Sequence, residues 1–291
     1  MENKTPLRDA YYSQLPLPGA SPQAAAAGPN NPPWNSATAF SVWLLSVLLI
    51  VFVPDLFVIP YALRRQVPLT DSARLVEFLQ SDPTAVIISL AAIIPAHVLT
   101  LLTAWLIVTR FRRFDFREML GWRSGGITWW HYVAILLGFF AVALVVAHTM
   151  PEEENSLLKV IRSSRSAVFL LAFLATFTAP LVEEIVYRGV LYSAFQRSMG
   201  TVLAILIVTL LFTLVHVPQY YPSWSTIILL TLLSLILTLI RAVTGNLWPC
   251  IVLHFLFNAI QSLGLIVSPY FESPTPAPPA ISGFLLHLLF K

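Results

Sequence analysis

The sequence predicts an all-α protein, a polytopic membrane helix bundle of about seven to eight transmembrane helices. Three observations lead to this fold class. Of the 291 residues, 57% are hydrophobic and only 11% are charged, whereas soluble domains carry about 25% charged residues. The mean hydropathy is +0.77. Several apolar stretches also reach the roughly 20 residues that an α-helix needs to cross a bilayer.

Seven apolar runs follow one another along the chain and account for the predicted spans. They lie at about residues 39–62, 84–109, 130–150, 166–195, 201–217, 224–241 and 248–268. A shorter apolar segment, "ISGFLLHLLFK", follows the proline-rich linker "SPTPAPPA" at the C-terminal end. Because it is too short to cross a bilayer comfortably, we expect it to lie at the membrane interface.

The spans and the composition of the two ends divide the chain into four parts. Residues 1–37 are rich in Pro, Ala and Asn and lack the apolar core of a secretory signal, so they are predicted to be a disordered tail. Residues 38–165 hold the first transmembrane helices, and residues 166–262 hold the polar side chains that suggest chemistry. Residues 263–291 form the C-terminal linker and the short apolar segment.

The charges on the chain are interpreted as topology signals. A net charge of +3 could indicate nucleic-acid binding, but for so apolar a chain we expect the lipid bilayer as partner and no nucleic acid. The loop after the second run is the most basic, so this loop and the N-terminus are predicted to be cytoplasmic. Its cations are Arg110, Arg112, Arg113, Arg117 and Arg123. Arg64 and Arg65, on the preceding loop, oppose this orientation.

Glu183, Glu184 and Arg188 form the first candidate site, within the apolar stretch "APLVEEIVYRGVLYSAF". Ionisable groups inside a bilayer cost about 2.5–3.5 kcal/mol each and usually face a bundle interior or a wet cavity. Glu184 and Arg188 are four residues apart, so they share a helix face and can pair. Glu183 points about 100° away and is the better candidate for a general base. We expect Pro180 to free the carbonyl of Thr176 and to kink the helix beside the carboxylates.

Two further pairs of polar or aromatic residues recur at the same spacing of four. Phe212 and His216 lie in "FTLVHVP", and His254 and Asn258 lie in "HFLFN". The histidines could hold a water or a metal, and the asparagine could donate to a developing oxyanion. Each pair alone is equally well explained by hydrogen bonds between helices, just as the first site alone could be a structural ion pair. Their convergence from three helices favours a functional site.

The order E-E-x-x-x-R, F-x-x-x-H, H-x-x-x-N resembles the CPBP family of intramembrane proteases. This family includes the type II CAAX prenyl endopeptidases and Abi-like proteins of bacteriocin processing and self-immunity. The resemblance covers about residues 166–262, including "TGNLWPCIVLHFLFN", and no motif residue is missing. The matching residues are Glu183, Glu184 and Arg188, then Phe212 and His216, then His254 and Asn258.

The resemblance implies hydrolysis of a peptide bond of a peptide or membrane-protein substrate, in a multi-pass protein of a bacterial plasma membrane. Carried onto this chain, it makes Glu183 the general base and gives His216 the role of orienting the water. Glu184 would support Glu183 and pair with the arginine. His254 and Asn258 would polarise the scissile carbonyl and stabilise the oxyanion.

The resemblance leaves open whether a metal takes part, because the family is described both as metal-dependent and as glutamate proteases. Glu183, His216 and His254 could form a three-ligand zinc site with an open position. We favour the metal-free form, because the H-E-x-x-H arrangement is absent and asparagine is not a usual zinc ligand.

Two other classes of function remain open at this stage. The protein could be a non-catalytic membrane scaffold or self-immunity factor that keeps the fold without cleaving. It could also be an ion-coupled transporter with the carboxylates as a proton site, although no inverted repeat is visible.

The protease hypothesis carries one geometric requirement. His216 is predicted near the outer end of its helix and His254 about two turns from the inner end of another, so the two helices must tilt or be offset to bring them together. His97, in the second apolar run, is expected to be a packing or hydrogen-bonding group.

Overall fold

A computed structural model describes residues 27–267, apart from residues 151, 152 and 154. These residues form an all-α structure without β-strands, and seven of their helices are long and apolar enough to span a membrane, which confirms the predicted fold class. The seven are α1 (Ser36–Arg64), α3 (Pro83–Thr109), α5 (Trp129–Thr149), α7 (Arg165–Met199), α8 (Thr201–Tyr220), α9 (Trp224–Thr244) and α10 (Trp248–Val267). Three short helices that the apolar runs did not predict lie in the connections, namely α2 (Ser72–Ser81), α4 (Phe116–Leu120) and α6 (Ser156–Ser163).

The ends of the spans are set by local capping chemistry. Asn35 Oδ1 accepts the backbone N–H of the third residue of α1 at 2.8 Å, and Asp82 caps α3, whose first residue is Pro83. Gly200, with a φ of +85°, makes the tight turn between α7 and α8, and Gly245, with a φ of +63°, ends α9. Successive helices among α7, α8, α9 and α10 pack against one another.

The N-terminal segment 27–35 lies against one end of the bundle. Trp34 is buried, and its Nε1 donates to the carbonyl of Val190 at 3.0 Å. Arg241, buried near the end of α9, donates to the carbonyl of Pro29 at 2.9 Å. Two more arginines donate to neighbouring carbonyls of this segment, Arg110 to Pro33 and Arg197 to Pro32. Residues 27–35 of the predicted tail are therefore packed against this end of the bundle.

The remaining predictions for the two chain ends concern residues that the structure does not describe. Residues 1–26 of the predicted tail and residues 268–291, which include the proline-rich linker and the whole short apolar segment, lie outside the described residues. The last described span, α10, continues to Val267. It therefore ends five residues beyond residue 262, the predicted end of the part of the chain that holds the polar side chains.

Helix α7 is the centre of the fold and is not a regular α-helix. It packs against α1, α3, α8 and α10. Its backbone widens to π-helix at Leu174–Thr178 and again at Ile185–Leu191, on either side of the two glutamates. In each segment a backbone bond spans five residues, from Ala179 N to the carbonyl of residue 174 and from Tyr192 N to that of residue 187. Such π segments occur frequently at functional sites.

Candidate active site

Glu184 is the buried hub of the polar cluster. Its side chain is fully buried, and its Oε1 accepts from Arg188 Nη1 at 2.8 Å and from His254 Nδ1 at 2.8 Å. The i,i+4 ion pair predicted from the spacing is thus confirmed. Because this carboxylate oxygen accepts from arginine and can only accept here, Nδ1 of His254 is the donor and its Nε2 points away from Glu184.

Arg188 is held by groups that sequence reasoning missed. Its Nε donates to Thr238 Oγ1 at 3.2 Å, and its Nη2 donates to Ser234 Oγ at 2.9 Å and to the Ser234 carbonyl at 3.0 Å. The guanidinium also lies 4.9 Å from the ring centre of Phe212. The available signal was a pair of hydroxyls four residues apart on the apolar helix α9, a spacing that puts them on one face.

Glu183 has a different environment from its neighbour. Its side chain retains 19% exposure, and its Oε2 lies 3.7 Å from His254 Nε2. That separation is too long for a direct hydrogen bond, and it leaves room for a water on the cavity side to contact both atoms. The two adjacent carboxylates therefore have different neighbours, as the helix geometry predicted, and Glu183 is the more exposed of the two.

His216 and His254 converge on the same cavity, so the geometric requirement raised by their sequence positions is met. The ring centre of Phe212 lies 4.6 Å from that of His216 and 6.1 Å from that of His254. His216 Nδ1 donates to the Phe212 carbonyl at 2.7 Å, because a carbonyl can only accept. This leaves Nε2 of a neutral His216 as an acceptor.

Asn258 has a backbone partner that corrects the expectation for Pro180. In the π register of Leu174–Thr178, the next five-residue bond would run from residue 180 to the carbonyl of Ala175, but proline has no N–H. Asn258 Nδ2 donates to this carbonyl instead, at 2.7 Å. The carbonyl that proline leaves open is therefore that of Ala175, and the expectation of Thr176 was wrong because it assumed α-helical register.

A cavity of about 410 Å³ connects these side chains. Glu183, His216, His254 and Asn258 all line it, whereas Glu184 and Arg188 lie behind its wall. Apolar side chains of α1, α5 and α9 make up much of the remaining surface. The cavity also reaches His97 of α3, which the sequence motifs did not include.

The zinc alternative needed Glu183, His216 and His254 to meet as ligands. Within the described ranges, no group of three or more His, Cys, Asp or Glu side chains is placed so that it could hold a metal ion. As arranged, these residues do not fit the three-ligand site, and the chemistry below is assigned to the protein's own side chains.

The cavity is lined by the partly exposed carboxylate of Glu183, the imidazoles of His216 and His254, and the amide of Asn258. The Nε2 atom of each imidazole makes no hydrogen bond to the backbone of the described residues. A carboxylate and an imidazole nitrogen at this separation can position a water and accept its proton. Arg188 and Glu184, behind them, keep the orientation of His254. Side chains of these types in one cavity can support hydrolysis.

Comparison with protein families bears out the resemblance. Residues 165–260 match the family model described as type II CAAX prenyl endopeptidase Rce1-like. The matched segment contains all the motif residues named above and leaves α1 to α6 outside it. Searches of curated proteins and of solved structures returned no match.

Proposed function

Since residues 165–260 carry an Rce1-like domain of the CAAX protease family, in a multi-pass membrane protein, we propose that this protein is an intramembrane endopeptidase that uses Glu183 to activate water. One observation carries the proposal. The Glu183 carboxylate lines the cavity and faces His254 Nε2 at 3.7 Å, while the buried Glu184 holds the other nitrogen of that histidine.

The reaction proceeds in two steps. Glu183 takes a proton from the water as the water oxygen bonds to the scissile carbonyl carbon, and the carbonyl electron pair moves onto its oxygen. The carbonyl then re-forms, the C–N bond breaks, and the leaving nitrogen takes the proton from Glu183. The products are a carboxylic acid and an amine, and the carboxylate of Glu183 is restored.

The other side chains prepare this reaction. His216 Nε2 accepts the second hydrogen of the water and so orients its lone pair, because Nδ1 is committed to the Phe212 carbonyl. Glu184 holds Nδ1 of His254, and in the imidazolium form of this histidine the Nε2–H donates to the oxyanion. Asn258 uses one N–H on Ala175 and has a second for the oxyanion.

We propose that the N-terminus faces the cytoplasm of a bacterial cell. Arg110, at the end of α3, donates to the carbonyl of Pro33, so the N-terminal segment and the most basic loop share one end of the bundle. The positive-inside rule assigns that end to the cytoplasm. The substrate is a peptide or a segment of a membrane protein, and the CAAX name alone does not select among these.

Cleavage of an internally quenched peptide panel by the purified protein tests the proposal. We expect Glu183→Gln to lower kcat by roughly 10²–10⁴-fold, the usual contribution of a general base. Glu77→Gln, the same change on the exposed face of α2, is the matched control and should cleave like wild type. Cleavage by Glu183→Gln at the wild-type rate removes Glu183 as the base.

A chelation arm separates the two catalytic types. Activity that persists after treatment with a chelator supports glutamate-activated water. Activity that is lost to the chelator and restored by zinc makes the protein a metalloprotease. Absence of cleavage across the panel favours the scaffold or self-immunity hypothesis.

A further inference from the structure

His97 is a buried histidine on the cavity wall that lies outside the matched family segment. It is on α3, with 6% of its surface exposed, and it lines the same cavity as Glu183. Neither the motifs nor the proposed mechanism uses it. A histidine in the interior of a membrane bundle needs a hydrogen-bonding explanation, because an unpaired polar group there is costly.

The hydrogen bonds of His97 determine its tautomer. Thr178 Oγ1 donates its single proton to the Leu174 carbonyl at 3.2 Å, within the first π segment of α7. His97 Nδ1 lies 3.0 Å from the same Oγ1. Both bonds form together only when Nδ1 is the donor, and Nε2 of that neutral ring then carries a lone pair.

The Nε2 atom of His97 is available to a ligand. It has no hydrogen-bond partner among the described residues. It also differs from their fully buried polar atoms without a partner, because part of its surface is exposed. It is therefore reached from the cavity that His97 lines. An acceptor is thus presented on a wall that is otherwise largely apolar.

A peptide that enters this cavity brings backbone N–H groups that lose their water. Inside a membrane each unsatisfied backbone group costs several kcal/mol, so a peptide-binding cavity must supply acceptors. We propose that His97 Nε2 binds the substrate by accepting a hydrogen bond from one of its backbone N–H groups. Because Thr178 ties the ring to the helix that carries Glu183, this bond sets the register of the peptide relative to the general base.

This inference rests on the proposed function, and backbone substitution of the substrate tests it. The probes are the panel peptide that wild type cleaves fastest and its depsipeptides, in each of which an ester oxygen replaces one backbone N–H. The main variant is His97→Asn, whose amide nitrogen can replace Nδ1 and keep the bond to Thr178 while Nε2 is lost. His97→Gln, whose amide oxygen can reach the position of Nε2, is the rescue variant.

We expect wild type to lose about tenfold in kcat/KM on one depsipeptide, mainly through KM, as for a single hydrogen bond. His97→Asn should lose a similar factor on the parent peptide, show no further loss on that depsipeptide and keep the wild-type Tm. His97→Gln should recover part of the activity. A His97→Asn protein that cleaves the parent peptide like wild type, or that still discriminates against the same depsipeptide, overturns the inference.

A binding measurement separates this failure from failure of the proposed function. The affinity of the Glu183→Gln protein for the same peptides is measured with and without His97→Asn, so no turnover is required. If wild type cleaves nothing, the tightest-binding panel peptide and its depsipeptides are compared in this way. Discrimination that disappears with His97→Asn supports the inference even then, whereas unchanged discrimination, or no binding of any panel peptide, overturns it.

Discussion

Glu183→Gln and Glu184→Gln make the same chemical change at adjacent residues, and the structure predicts a large loss of stability for Glu184→Gln and almost none for Glu183→Gln. Glu184 is fully buried, and one of its oxygens accepts from both Arg188 and His254. Glu183 is partly exposed, and its contact with His254 Nε2, at 3.7 Å, is too long for a hydrogen bond. Both changes remove one negative charge and keep the shape of the side chain, so their difference isolates the effect of environment.

The expected loss in the free energy of unfolding for Glu184→Gln follows from the buried Arg188 charge, which loses its partner. Removing one member of a buried ion pair costs about 3–5 kcal/mol, because the other charge stays buried. The glutamine oxygen can still accept one bond, so we expect about 3 kcal/mol. In a protein of this size 1 kcal/mol corresponds to about 2–4 °C, which gives a fall in Tm of roughly 6–12 °C. Glu183→Gln should stay within about 0.5 kcal/mol of wild type.

Thermal unfolding in detergent, followed by tryptophan fluorescence, provides the measurement, with Glu77→Gln on α2 as the exposed control. The same proteins are tested for peptide cleavage. Glu184→Gln should also cleave more slowly at temperatures where it is folded, because His254 loses the carboxylate that orients it. Equal Tm values for Glu183→Gln and Glu184→Gln would refute the assignment of Glu184 as the buried hub.

Two further predictions concern the π segment and the orientation in the membrane. Asn258→Leu should lower the free energy of unfolding by about 1–3 kcal/mol, because the carbonyl of Ala175 loses its donor. Pro180→Ala restores a backbone N–H and should reduce that loss in the double variant. Equal losses with and without Pro180→Ala, measured by thermal unfolding, would contradict the π-helical register proposed for this turn. In intact cells, a membrane-impermeant maleimide should label Ser72→Cys, at the first residue of α2, and spare Ser124→Cys in the basic loop, since the single native cysteine is buried. The reverse labelling pattern would invert the proposed topology.

Much of the site was predictable because it depends on spacing along single helices. The pairing of Glu184 with Arg188 follows from a separation of four residues, and the structure places these atoms at 2.8 Å. The separate environment of Glu183 follows from the angle between adjacent residues on a helix. The seven spans followed in the same way from apolar runs of sufficient length, since no other backbone form satisfies its hydrogen bonds in lipid as simply.

The sequence analysis erred where the backbone departs from α-helical register, and it missed contacts that depend on the packing of another helix. The carbonyl left open by Pro180 was assigned one residue too late, because composition does not reveal that the preceding turn is π-helical. The support of Arg188 by Ser234 and Thr238, and the place of His97 on the cavity wall, depend on how α9 and α3 are rotated against α7.

The sequence by itself determined the membrane-spanning class, the segments that cross, and which side chains on each helix can act together. Those properties follow from hydrophobicity and from the period of the helix, both of which are local. Only the tertiary structure decided that His254 binds Glu184 rather than Glu183, that Asn258 completes a π segment, and that His216 reaches the same cavity. These contacts depend on the depth, rotation and tilt of helices relative to one another, which are set by side-chain packing between segments far apart in the chain.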